Sequence, residues 1–167
     1  LSIANYLQAS KSMQELDTSL TNKNLKHNMS IAHTYFEEYY GSASYQNGNL
    51  VDMNGNDIAG DTKMVDALTA DAGGEATIFA KSGDDFVRVS TTLGKSSLAY
   101  ADVIQGKNYL GPANILDKPH LTAYDPLLDN NGQVIGLLFV GLSQSESAAN
   151  IQSYLNEIRN TAILAIM

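Results

Sequence analysis

Apolar residues recur at Ala9, Met13, Leu16 and Leu20 and, after a skip, at Leu25, Met29, Ala32 and Phe36. Spacings of three and four put them on one narrow stripe of a helix. The first forty residues hold neither proline nor glycine, and Gly41 is a natural C-terminal stop. The pattern predicts one helix over residues 1–40, about 60 Å long. A helix longer than a small domain is wide must project beyond the core or pair with another helix.

The texture then changes. Residues 41–75 are rich in Gly, Asn, Asp and Ser and read as loops, with a short element over Thr62–Ala70. From Ala76 the pattern is β. Ala76–Ala80 and Phe86–Thr91 are rich in β-branched and aromatic residues, and the cluster Lys81–Asp85 between them reads as a turn. A second hairpin is predicted from His120–Leu128, the turn Asp129–Gly132, and Gln133–Leu142. Its run Val134–Val140 is apolar on both faces, which places it centrally in a sheet. Residues 93–119 carry Gly94, Gly106, Gly111, Pro112 and Pro119 and read as irregular, with a helical turn near Ala99–Gln105. Ser143 or Ser145 can cap a last helix with Ala148, Ile151, Leu155 and Ile158 on one face. The expected order is long helix, loops, antiparallel sheet and long helix, with both chain ends on one side.

At 167 residues the chain fits one domain. Eighteen acids against ten bases give a net charge of -8. That excludes the Lys/Arg-driven binding of nucleic acid and disfavours an anionic membrane surface. The lack of cysteine removes thiolate catalysis, Cys-based zinc sites and disulfides, and is compatible with an oxidising compartment. No apolar run is long enough to span a bilayer, yet the final segment Ala162–Met167 reads as heading toward a membrane segment.

Arg88 stands out, because it lies mid-strand with Phe86 and Ser90 on its own face. A guanidinium there clamps a carboxylate through two parallel hydrogen bonds; the ordinary alternative is an exposed strand face or an internal salt bridge. Lys118 and His120, with Thr122 and Tyr124 in phase with His120, would complete a basic, hydroxyl-lined pocket for a small anion, with Tyr109 closing over it. Taken singly, Lys118 reads as a solvated lysine, His120 as a structural histidine and Tyr109 as packing. Asp52–Asp57 is EF-hand-like only superficially, since Asp57 replaces the required Gly and Lys63 the bidentate Glu. His27 and His33, six apart, make a poor metal pair. No metal or cofactor is expected. No nucleophile stands beside an evident base; a hydrolase using His120 with Ser90 or Ser143 is the remote alternative.

Several motifs in register resemble single Cache domains, the extracytoplasmic sensor modules of bacterial receptors. They are Ala76-Thr-Ile-Phe-Ala80, Gly83–Thr92, Gly106-Lys-Asn-Tyr-Leu-Gly111, Thr122-Ala-Tyr-Asp-Pro126 and Gly132–Gly141. The resemblance covers residues 76–142, and the flanking helices fit the same plan. It implies an α+β fold: a PAS-like antiparallel sheet flanked by a long N-terminal helix and a C-terminal helix. The division would be helix 1–40, sensor core 41–142 and helix 143–167.

It further implies a non-catalytic periplasmic sensor of a methyl-accepting chemotaxis receptor in the inner membrane. Such a sensor works as a homodimer, tethered by flanking segments, and binds a small carboxylate, with pyruvate or another C2–C3 acid the first expectation. Matching positions make Arg88, Ser90, Tyr109 and Tyr124 pocket residues, with Phe86 on the same strand face; Lys118 and His120 follow by position. Where the family often carries an arginine after this strand, Thr92–Ala99 has none. Lys95 substitutes for it, or that wall of the pocket differs. A histidine-kinase sensor, or one responding through a binding protein, is the alternative.

Overall fold

The computed structural model describes residues 2–88 and 91–164. The first helix, α1 (Ile3–Tyr40), is capped by Ser2, whose hydroxyl accepts from the Asn5 N–H at 3.2 Å. It ends at Gly41, whose φ of +67° suits a residue without Cβ. Leu25, Met29, Ala32, Phe36 and Tyr40 are buried along it, whereas Leu16 and Leu20 are exposed. The predicted stripe is thus core in its second half, while in its first half Ala9 and Met13 are half-buried and Leu16 and Leu20 face solvent.

Residues 41–75, read as loops with a short element over Thr62–Ala70, hold a hairpin and, at that element, a helix. Strands β1 (Ser44–Gln46) and β2 (Asn49–Val51) pair through Asn47-Gly48, both at positive φ, the backbone of a type I′ turn. Helix α2 (Lys63–Ala72) follows. The main sheet then begins with β3 (Glu75–Ser82), β4 (Asp85–Arg88) and β5 (Thr91–Thr92). The β3–β4 turn is only Gly83-Asp84, because Ser82 already pairs with Asp85.

A short helix, α3 (Tyr100–Val103), leads to β6 (Tyr109–Ile115), β7 (Lys118–Leu128), β8 (Val134–Ser143) and the last helix, α4 (Ser145–Leu164). Strand β6 corrects the reading of residues 93–119 as irregular. It is the edge strand, bonded only to β7, and an edge tolerates Pro112. The turn to β7, Leu116-Asp117, has both residues at positive φ without the Asn-Gly signal.

The six strands run β5-β4-β3-β8-β7-β6, and every pairing is antiparallel. Their two faces carry two cores. Ile78, Ala80, Leu121, Ala123, Leu138 and Val140 pack under α1 and α2. Phe79, Phe86, Tyr124, Leu137 and Phe139 form the other face, partly covered by Ala99 and Val103. This is the predicted α+β, PAS-like arrangement. In α4, Leu155 is buried and Ile151 and Ile158 are half-buried, while Ala148 is exposed. Among the described residues no helix is long and apolar enough to cross a membrane.

Close backbone approach fixes Gly136 on β8. A Cβ there would stand 2.5 Å from the Phe79 carbonyl oxygen of β3. Backbone cannot yield as a side-chain tip does, so Gly136→Ala is expected to destabilise by about 2–3 kcal/mol in chemical denaturation. A neutral result would mean that the β3–β8 spacing adjusts freely.

Across the helical face, His33 of α1 bonds Asp125 of β7 at 2.9 Å. The Asp125 contact raises the His33 pKa above its ordinary 6.5, against a smaller opposing effect of burial. A raised folded value means stability fully present below about pH 6.5 and lost as pH rises through the higher folded value. His33→Gln should therefore melt below the wild type at about pH 5.5, and the two should converge near pH 8.5, with a small gap because the histidine is half-exposed. A pH-independent gap would show that the contact is not ionic.

Candidate functional site

Strand alternation assembles the site. On β3, Glu75, Thr77 and Phe79 share one face, and the register sets Thr77 beside Phe139 and Phe139 beside Tyr124. Ala80 pairs with Val87, so continuing that register brings Arg88 alongside Phe79. Above this face lies a cavity of about 880 Å³. Its floor is Thr77, Phe79, Tyr124 and Phe139, and Arg88 and Glu75 also line it. Further walls come from Thr69 and Gly74, from Leu93 and Ser96–Leu98, and from the β6–β7 hairpin tip, Ala113–Leu116.

Arg88 is exposed, and none of the ion pairs among the described residues includes it. Its guanidinium is therefore not spent on an internal carboxylate. Tyr124 is 5% exposed, with its ring 4.9 Å from that of Phe139. Burial first, then the neighbouring Tyr109, pushes its hydroxyl to about 12. It stays protonated, and so can donate a hydrogen bond, at any ordinary pH.

Of the other expected site residues, those the structure describes stand elsewhere. Phe86 shares the cavity's strand face but is fully buried in the core under Ala99 and Val103. Tyr109 packs 6.1 Å from Tyr124, yet its hydroxyl donates to the Pro112 carbonyl at 2.9 Å instead of facing the cavity. Lys95 is exposed and pairs with Asp84 at 3.3 Å, outside the cavity lining. Lys118 lies at the exposed start of β7, also outside the lining. His120 is 2% exposed, and its Nδ1–H donates to the Lys118 carbonyl at 2.9 Å. That bond leaves its Nε2 facing a Glu75 oxygen at 3.5 Å. Ser90 lies outside the described residues. Ser143 stands opposite His120 in register, but its hydroxyl accepts from the Ser145 N–H.

Glu75, Thr77, Phe79 and Phe139 went unnoticed in the sequence. Their common face was implicit in the alternation of β3, but their neighbours depend on the long-range β3–β8 pairing. The Asp52 loop is a turn, as its departures from the EF-hand pattern imply. The Asp52 carboxylate accepts from the N–H groups of Asn54 and Asn56 and from the Asn56 side chain, which holds its pKa down. Among the described residues no group of three or more His, Asp or Glu side chains is placed to hold a metal. A second concavity, of about 810 Å³, runs along α1 from Lys11 to Lys26. Only one helix lines it, so it lacks the opposed walls that bury a ligand.

Residues 3–161 match the family model described as the Cache 3/Cache 2 fusion domain. Among solved structures, the chain is similar to the ligand-binding domain of the Campylobacter jejuni chemoreceptor Tlp3 in complex with L-valine. The identity is 12% and the TM-score 0.38, over 88% of this chain and 66% of that one, so less than two thirds of that chain is spanned. No curated protein matches. The chain belongs to the Cache family of small-molecule sensor domains.

Proposed function

We propose that this is the extracytoplasmic sensor domain of a transmembrane chemoreceptor, and that it binds a small carboxylate in the cavity over the sheet. The observation that carries the reading is Arg88: a cation lining the cavity, in no ion pair among the described residues, beside an aromatic floor. A guanidinium offers paired donors to a carboxylate, and the Tyr124 hydroxyl, held protonated, adds another. The ligand's carbon skeleton lies on Phe79 and Phe139. The role is non-catalytic: the site recognises its ligand and transforms nothing.

Signalling requires differential affinity between two states. The wall Ser96–Leu98 belongs to a connecting segment, which closes on the ligand in this reading. Strand β7 then links site to helix, since Tyr124 lines the cavity while the next residue, Asp125, holds His33 of α1. Residues 1–40 and 143–167 act as the transmitting helices and 41–142 as the sensor core. Exposed Ile3, Leu7, Leu16 and Leu20 on the projecting half of α1 support pairing of two copies in a membrane-tethered, periplasmic receptor.

A thermal-shift screen against C2–C6 carboxylates tests the reading. An acid at a hundredfold over its dissociation constant stabilises by about 2.7 kcal/mol, raising the melting temperature by several degrees. Arg88→Gln should remove that shift and leave the unliganded melting temperature unchanged. A flat screen would transfer the role to a sensor of a ligand-loaded binding protein. An undiminished shift in the variant would overturn the assignment of Arg88.

A further inference from the structure

We infer that the ligand is an elongated zwitterion, a carboxylate and an ammonium separated by a short methylene chain. The inference rests on the carboxylate reading of the same cavity and adds a second charge. Glu75 lines the cavity together with Arg88, and the ion pairs among the described residues do not join the two. Both charges therefore face the same space without neutralising each other. The one ion-pair contact of Glu75 among the described residues is with His120 at 3.5 Å, longer than a normal hydrogen bond, so the carboxylate stays available. It is 54% exposed, which keeps it hydrated without a ligand.

Spacing sets the shape. Glu75 and Phe79 stand four positions apart on β3, about 13 Å of strand backbone, and Arg88 lies alongside Phe79 in the continued register. Thr77, Phe79, Tyr124 and Phe139 occupy the floor between the two charges. The order across the site is cation, aromatic surface, anion. A polymethylene chain fits the middle, and an ammonium near these rings also gains from their π faces.

Size and repulsion argue the same way. A cavity of about 880 Å³ belongs to the range of roughly 300–1,000 Å³ that holds drug-sized ligands, so it has room for a chain longer than a C2–C3 acid. A simple monoanion would meet Glu75 as a like charge, whereas an ammonium converts that repulsion into attraction.

Calorimetry of the 167-residue protein separates the cases with δ-aminovalerate, its α-isomer norvaline, and valerate, which lacks the nitrogen. We expect δ-aminovalerate to bind about tenfold tighter than either of the others. Glu75→Gln should abolish that preference and leave valerate affinity equal or improved; Glu75→Asp should retain part of it. Norvaline equal to δ-aminovalerate would overturn the charge spacing. Valerate equal to δ-aminovalerate, or a preference untouched by Glu75→Gln, would overturn the second charge. In each of those cases the carboxylate reading survives if Arg88→Gln weakens valerate. Failure of all three ligands to bind would remove both.

Discussion

Burial of β8 on both faces is the constraint on which the rest of the structure depends. Its residues from Ile135 to Gly141 are all buried, with Leu138 and Val140 on one face and Leu137 and Phe139 on the other. Each fully buried Leu or Phe contributes about 1.5–3 kcal/mol, but only if something covers it. One face is covered by α1 and α2. The other is covered incompletely, by α3 and the segments around it, and the uncovered part is the cavity. The sheet thus supplies a core and a cavity floor from a single strand.

That arrangement divides labour between strand and connection. Thr77, Phe79, Tyr124 and Phe139 stand on paired strands, so the floor is held by ladder hydrogen bonds. The walls Ser96–Leu98 and the hairpin tip at Leu116 lie on connections, where function tolerates change. Alternation along β7 puts Tyr124 and Asp125 on opposite faces, one toward the cavity and one toward His33.

The long helix, both predicted hairpins and the last helix were legible because their periodicity is local. Strand β6 was not. Gly111, Pro112 and Asn114 argue against a strand, and only an edge position with a single partner makes Pro112 harmless. The β1–β2 hairpin did carry a signal, Asn47-Gly48, which was masked by the polar composition around it. Arg88 and Tyr124 could be singled out from the sequence, Arg88 as a charge in an apolar strand and Tyr124 by phase with His120. Position alone misjudged Lys118 and His120, because a strand start does not tell which groups its carbonyls and neighbours will claim. Glu75 was illegible for the opposite reason: its place beside the cavity comes from strand pairings far away in sequence.

Amide chemical shifts recorded during a titration with valerate would report whether a ligand binds on the sheet face bearing Arg88. Perturbations are expected to centre on Thr77, Phe79, Arg88, Tyr124 and Phe139, with the flank of α1 from Lys11 to Lys26 unmoved. Shifts confined to that flank, or no shifts at all with any small acid, would contradict binding there.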